Sequence, residues 1–297
     1  MQKNRYAYYP GCSLKRYGTP FETSALACAA ALGIDMPEMG KWNCCGTVHG
    51  LSRDRLIYKV APLRNILRAR EQGFDGIVTL CSICFNTLRR TNDAMKAGGT
   101  DRTRLNNFLD EYGPYDGSFP VKHLLEVIRD DVGFDSLAAA VKNPLAGLAA
   151  SPYYGCMLVR PASLGLDDME RPRVLSDLIE AIGAKAIESP YATECCGSYH
   201  AVNEDDTAAE YASRIIGAAS ARGAELIVSS CPLCVYNLDY RQAAARRKYP
   251  ALKAVPVLYF TQVLGLALGV PESDLGLDSM TVDSRFALAG HSAPSAR

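Results

Sequence analysis

Residues Gly73-Phe74-Asp75-Gly76-Ile77-Val78-Thr79-Leu80-Cys81-Ser82-Ile83-Cys84 run through three elements in twelve positions. Gly73 closes a helical pattern over 51–72, in which Leu56, Val60, Leu63 and Leu67 recur at helical spacing. Residues 76–80 form a short apolar run of the kind that makes a fully buried strand. From Cys84 onward the pattern is helical again. A C-x-x-C pair therefore stands where a strand ends and a helix begins. The same succession returns as Gly223-Ala224-Glu225-Leu226-Ile227-Val228-Ser229-Ser230-Cys231-Pro232-Leu233-Cys234.

The repetition extends outward from these two stretches. Tyr8-Tyr9-Pro10-Gly11-Cys12 matches Tyr153-Tyr154-Gly155-Cys156, and Asn43-Cys44-Cys45-Gly46 matches Glu194-Cys195-Cys196-Gly197. Matching cysteines are offset by 144, 151 and 150 residues (12 to 156, 44 to 195, 81 to 231). Pro120-Val121 leading to Glu126-Val127-Ile128 resembles Pro256-Val257 leading to Gln262-Val263-Leu264. A duplicated unit of about 150 residues is domain-sized. The expected division is residues 1–145 and 146–297, with the boundary in the Gly-, Asp- and Pro-interrupted stretch 130–150 and a loose polar tail from about 271.

Each half alternates strand and helix patterns. Strands are expected at 7–9, 76–80, 149–154, 226–229 and 255–259. Helices are expected at 21–32 (ended by Gly33), 51–72, 174–182, 208–221, 234–247 and 261–268, and 121–127 starts a strand or a helix. This alternation predicts an α/β fold: two pseudo-twofold-related open, Rossmann-like α/β units with mainly parallel strands.

Composition narrows the function. The 297 residues carry 32 basic and 32 acidic side chains and are 48% hydrophobic, which excludes a disordered chain. Zero net charge argues against a nucleic-acid partner. Neither G-x-G-x-x-G nor G-x-x-x-x-G-K-[ST] occurs, so nicotinamide and ATP sites are not indicated. The N-terminus lacks a secretory pattern, and the longest apolar run, 255–270, is too short to span a bilayer. A cytoplasmic protein is expected, in which eleven cysteines are metal ligands or redox groups rather than disulfides.

Ten of the eleven fall into the repeat: Cys12, Cys44, Cys45, Cys81 and Cys84, then Cys156, Cys195, Cys196, Cys231 and Cys234. A thiol at a helix start is favoured as thiolate by the helix dipole and the free N–H groups. The carboxyl end of a parallel sheet is where open α/β folds bind ligands. Gly46 and Gly197 permit positive φ and close backbone approach to a bound group. Five sulfurs per half exceed the four that one zinc ion or one cubane takes. The surplus points to an unusual multi-iron cluster, or to four ligands and one reactive thiolate. The ferredoxin run C-x2-C-x2-C-x3-C is absent.

The pattern Cys, Cys-Cys-Gly, Cys-x-x-Cys, present twice from Tyr8 to about Gly269, resembles the B subunit of heterodisulfide reductase, a member of the CCG-domain superfamily. The resemblance implies one noncubane 4Fe-4S cluster per half, a three-iron and a two-iron unit fused. Cys12, Cys44, Cys45, Cys81 and Cys84 would hold the first, and Cys156, Cys195, Cys196, Cys231 and Cys234 the second. It also implies that a disulfide is cleaved between the clusters, each taking one sulfur. Electrons would come from a ferredoxin-like C subunit, itself fed by the flavoprotein A subunit. The family includes sulfur-oxidising relatives, in which a protein-bound disulfide or thiol is a substrate, and quinone-linked relatives. Three readings follow: a catalytic subunit of a disulfide–thiol oxidoreductase, an electron relay in a quinone-linked respiratory complex, and a zinc-binding interaction module.

His49 and His200 each stand four residues after the second Cys of a CCG step. They are candidate proton donors for thiol formation, with helix capping or a bond to a cluster sulfide as the structural alternative. Cys28 lies outside the repeat on an apolar helix stripe and reads as an inert core thiol. Lys15, Arg16 and Arg160 follow the lone cysteines as substrate-steering or surface charges. Arg241, Arg246, Arg247 and Lys248 read as an exposed helix face or a patch for docking a partner protein. Asn237 and Asp239 read as hydrogen-bonding residues.

Overall fold

A computed structural model describes residues 4–47 and 56–291. Its strands form two wholly parallel sheets. In the first, β1 (Tyr6–Tyr8), β2 (Gly76–Thr79) and β3 (Val121–His123) lie in the order β1-β2-β3. In the second, β4 (Ala149–Tyr153), β5 (Lys185–Ala186), β6 (Leu226–Ser229) and β7 (Val257–Tyr259) lie in the order β5-β4-β6-β7. Ala7 pairs with Ile77 and Val78 with Lys122; Ser151 pairs with Ile227 and Val228 with Leu258. Parallel bridges from Arg5 to Asp35 and Tyr8 to Glu38 stand beside β1 where β5 stands beside β4. The two sheets thus share one order. Every residue of β1, β2, β6 and β7 is buried, which is why these strands read as continuous apolar runs.

The α/β fold holds, and the element ends shift. β1 begins and ends one residue earlier than expected. The helix expected at 51–72 is seen as Ile57–Glu71, and residues 51–55 lie outside the described residues. The ambiguous 121–127 resolves into β3 followed by the helical turn Leu124–Glu126, with His123 and Glu126 forming a capping box. Helix Thr19–Leu32 ends on Gly33 at φ 65°, the left-handed conformation that glycine adopts without steric cost.

The largest difference follows Cys234. One helix is expected over 234–247. Instead Pro232–Val235 runs into a π-helical turn, Tyr236–Tyr240, and then Gln242–Lys248. Within that turn the Asp239 carboxylate accepts the N–H groups of Thr281 (2.7 Å) and Val282 (3.0 Å). Apolar periodicity carries no sign of such a bond.

That anchor also corrects the expectation of a loose tail from 271. The chain there forms short turns at Glu272–Asp274 and Leu277–Ser279 and a helix at Arg285–Leu288, with Leu275 and Ser284 buried. Gln262 donates to the Leu275 carbonyl at 3.0 Å. Leu275 covers Gly265 and leaves no room for a Cβ there.

The two halves are interleaved. Helix Thr19–Leu32, first-half by sequence, packs on helix Phe260–Leu268 of the second half. Phe21 stacks on Tyr259 (4.3 Å, 9°) and meets Phe260 edge-on at 5.6 Å. Such ring pairs contribute about 0.5–1.5 kcal/mol each beyond their burial. Ser24 and Thr261 share a hydroxyl hydrogen bond of 2.6 Å. Cys28 is fully buried there and donates to the Thr261 carbonyl, and burial pushes its thiol up to about 12. It is the inert core thiol expected. Across the same boundary, Asn86 donates to the carbonyls of Met157 and Arg160.

Candidate functional site

All ten repeat cysteines lie at the carboxyl ends of the sheets. Cys12 follows β1 in the short helix Gly11–Leu14, and Cys156 follows β4. Cys81 is the residue before helix Ser82–Ala97, and Cys231 the residue before Pro232–Val235. Both have extended backbones, so each thiol stands at the start of a helix with its unpaired N–H groups.

The CCG loops are held from below by one tyrosine each. Tyr9 donates to the carbonyl of Asn43 at 2.8 Å and Tyr153 to that of Glu194 at 2.7 Å, the residues just before Cys44 and Cys195. Tyr9 is therefore the structural counterpart of Tyr153. Burial, and then the surrounding thiols, push both phenols far above their usual range and keep them as donors. Gly46 and Gly197 have φ of 73° and 78°, as expected. Each turns its N–H back to a thiol: Gly46 to Cys44 Sγ at 3.5 Å and Gly197 to Cys195 Sγ at 3.4 Å.

Within each half the sulfurs form a chain of neighbours. Cys12 and Cys44 are 3.8 Å apart and Cys45 and Cys84 are 3.5 Å apart. Cys156 contacts Cys195, which contacts Cys196, which contacts Cys234. Shared hydrogen bonds favour the thiolate at some positions over others, and bonds from Cys234 and Cys81 also hold Cys231 well below the usual thiol range. Bonds from Cys44 and Cys84 bring Cys45 down to about 4, and bonds from Cys156 and Cys196 bring Cys195 down to about 2. The two chains touch: Cys81 and Cys231, both buried, share a hydrogen bond across the boundary between the halves. Ser82 and Ser230, beside them, have hydroxyls 3.4 Å apart. At the outer end, Cys12 and Cys44 are exposed, whereas Cys156 and Cys195 are partly covered.

The donor set fits thiolate-ligated iron–sulfur groups. A Cβ on Gly11 would lie 2.8 Å from Cys84 Sγ, and one on Gly155 3.0 Å from Cys234 Sγ, so only glycine leaves that space open. The hydroxyls of Thr79 and Ser229, matching positions two residues before Cys81 and Cys231, are buried and lack a hydrogen-bond partner among the described residues. Among the described residues no three His, Cys, Asp or Glu side chains are arranged to hold a single metal ion.

A family model for the CCG cysteine-rich domain matches this chain twice, at residues 6–89 and 151–239. The chain belongs to the CCG cysteine-rich domain family. It is 33% identical over 286 residues to the 8-methylmenaquinol:fumarate reductase membrane anchor subunit of Wolinella succinogenes, covering 96% of this chain and 99% of that one. It is 27% identical to the B subunit of the ferredoxin/F420H2-dependent CoB-CoM heterodisulfide reductase of Methanosarcina acetivorans, covering 94% of each. It is 28% identical to a protein of Archaeoglobus profundus described as like the B subunit of heterodisulfide reductase, covering 92% of this chain and 94% of that one. The resemblance to that B subunit therefore runs over nearly the full length. A crystal structure of a hypothetical protein from Helicobacter pylori superposes with a TM-score of 0.75 at 14% identity, over 96% of this chain and 53% of that one, and shares the fold. The relatives' names are those of subunits of multi-subunit reductases. No helix of the described residues is long and apolar enough to cross a membrane.

The structure distributes the remaining expected residues unevenly. His200 lies in the turn Ser198–Val202, half-exposed, with Nδ1 3.3 Å from Glu204 and its ring stacked on Tyr211. His49 lies outside the described residues. Lys15 is bound by Glu22 (2.8 Å) and Glu38 (2.7 Å), and Arg160 donates to the Thr193 carbonyl; both are structural ties. Arg16 lies over the Tyr17 ring. Arg241 ties to Asp205 and the Ala201 carbonyl and Lys248 pairs with Asp206, while Arg246, Arg247 and Lys248 stay exposed on the helix face. Asn237 donates to the Cys196 carbonyl, so it and Asp239 are hydrogen-bonding residues.

One histidine escaped the sequence reading. His123 ends β3, is fully buried, and contacts the carbonyl of Leu80, the residue before Cys81, at 2.8 Å. Burial pulls it down to about 4. The repeat could not flag it, because Tyr259 stands in its place in the second half.

Proposed function

We propose that the chain is the iron–sulfur catalytic subunit of a heterodisulfide-reductase-like complex, interconverting a disulfide and two thiols at two noncubane 4Fe-4S clusters. Cys12, Cys44, Cys45, Cys81 and Cys84 would hold one, and Cys156, Cys195, Cys196, Cys231 and Cys234 the other. When bound, such groups supply single electrons, and breaking an S–S bond takes two. The observation that carries the reading is the meeting of the two five-cysteine sets through Cys81 and Cys231.

The chain's own residues have separate tasks. Tyr9 and Tyr153 fix the CCG loops. Exposed Cys12 and Cys44 mark the side on which a substrate enters. His200, paired with Glu204, stands beside Cys195 on the solvent side, where a proton for a departing thiolate is needed. His49 is its proposed counterpart. The proposed electron partners are a ferredoxin-like protein and a flavoprotein, and the proposed location is the cytoplasm.

Two measurements test this. Iron and acid-labile sulfide should both be present in the purified chain; about two zinc and no sulfide per chain would sink it in favour of a zinc module. Adding a thiol to the oxidised protein should produce a new paramagnetic signal.

A second reading, a relay of electrons to or from a quinone, is favoured by the 33% identity to the menaquinol:fumarate reductase relative. It predicts silence toward thiols and reduction by a menaquinol analogue. Under the first reading His200→Gln alters the pH profile of turnover; an unchanged profile removes the proton-donor role.

A further inference from the structure

His123 stands behind both C-x-x-C motifs at once. Its ring is fully buried between Phe85 (centroids 5.8 Å apart, 79°) and Phe260 of the other half (6.2 Å, 44°). Both ring nitrogens are committed. Nδ1 accepts the Leu125 N–H at 3.2 Å, capping the helix that follows β3. Nε2 must then carry the proton, and it donates to the Leu80 carbonyl at 2.8 Å. Only the neutral Nε2–H tautomer satisfies both bonds. The ring also interacts with the carbonyl of Ser230, the residue before Cys231. That same carbonyl receives the Ser82 hydroxyl at 3.3 Å. One side chain of the first half is thus bonded to the backbone step into Cys81 and, beside Ser82, faces the backbone step into Cys231.

The pseudo-symmetric position in the second half does not repeat this. Tyr259 caps helix Phe260–Leu268, and its ring stacks on Phe21. The brace is single.

We propose that His123 is the positioning residue that fixes the starts of the two C-x-x-C segments relative to one another, so that displacement of one is felt at the other. The requirement explains the residue type. The fully buried site needs an acceptor for the helix cap and a donor for a strand-end carbonyl, on opposite edges of one rigid group. A phenylalanine fills the space and offers neither. An asparagine offers the cap and is too short to reach Leu80. The proposal uses the two-site reading above, and its test does not depend on what the sites hold.

The test is amide hydrogen exchange, followed by mass spectrometry, on the full chain and its His123→Phe and His123→Asn variants. In both variants exchange should rise in peptides covering 80–84 and also in those covering 230–234. Exchange in peptides covering 124–132 should rise with Phe and stay near the parent's with Asn. A rise confined to 80–84, with 230–234 unchanged, overturns the proposal and leaves a local structural role. No rise in either segment overturns it as well. Should the Phe variant not fold, the Asn variant carries the same test, because it keeps the cap and loses only the brace. Iron per chain in the parent, measured on the same samples, reports separately on the iron–sulfur reading.

Discussion

The two halves share strand order, cysteine spacing and the tyrosine under each CCG loop, yet they support their cysteines differently. In the first half the helix after C-x-x-C is regular over Ser82–Ala97. In the second it breaks into a π turn whose Asn237 reaches the Cys196 carbonyl and whose Asp239 holds the C-terminal segment. The first half leaves Cys12 and Cys44 exposed, and the second half partly covers Cys156 and Cys195. Within the CCG step, hydrogen bonds from neighbouring thiols lower the second cysteine in one half and the first in the other. The donor set is the same in both halves while the scaffolds differ: one set is open to solvent at its outer end, the other is tied into the body of the protein.

The largest expected effect separates the two sites. Cys84→Ala and Cys234→Ala should each lower iron per chain by about half and leave the other site's paramagnetic signal in place. Loss of all iron from either variant would show that the halves do not load independently.

Next comes a pair of matched glycines. Among the described residues, Gly46→Ala places a Cβ in ordinary contact, 3.7 Å from Ala61, and costs the left-handed backbone, about 1–2 kcal/mol. Gly197→Ala drives a Cβ to 2.9 Å from Tyr211 and should cost about 1–3 kcal/mol more. Urea unfolding midpoints of the two variants read the difference directly, and equal midpoints would break the comparison.

A third test uses pH. His123 in the folded chain titrates near 4, below the ordinary 6.5, so the unfolded chain binds the extra proton throughout that window. Its contribution is fully present above 6.5 and is lost as pH falls toward 4, on the order of 3 kcal/mol. Tyr259, its counterpart, is pushed upward by burial and contributes nothing in this range. The parent should lose stability more steeply than His123→Asn between these values.

The smallest effect is at the π turn. Asp239→Ala leaves the Thr281 and Val282 amides unpaired, at about 1–3 kcal/mol. Limited proteolysis should then cut within 270–285 in the variant and not in the parent.

The ten cysteines, the strand–helix junctions and the positive φ of Gly46 and Gly197 were legible in the sequence because each is a local signal repeated twice. The missed features are non-local or unrepeated. His123 has no twin, and its partners Leu80 and Ser230 are far away in the chain. The polar composition of 271–291 hides Leu275 and the two amides that bind Asp239. Apolar periodicity distinguishes helix from strand and is blind to one extra residue in a turn, so the break after Val235 was invisible.

Helix Thr19–Leu32 leaves the ribosome well before its packing partner, helix Phe260–Leu268. Ser24 and Thr261 lie 237 positions apart. At about 5–20 residues per second of synthesis, the early helix waits on the order of ten to fifty seconds for the surface that covers it. Throughout that interval the first set of five thiols stands on an unfinished scaffold, open to oxygen and to stray metal. Under the proposed iron–sulfur reading, insertion of iron and sulfide belongs after helix Phe260–Leu268 has emerged and covered Thr19–Leu32.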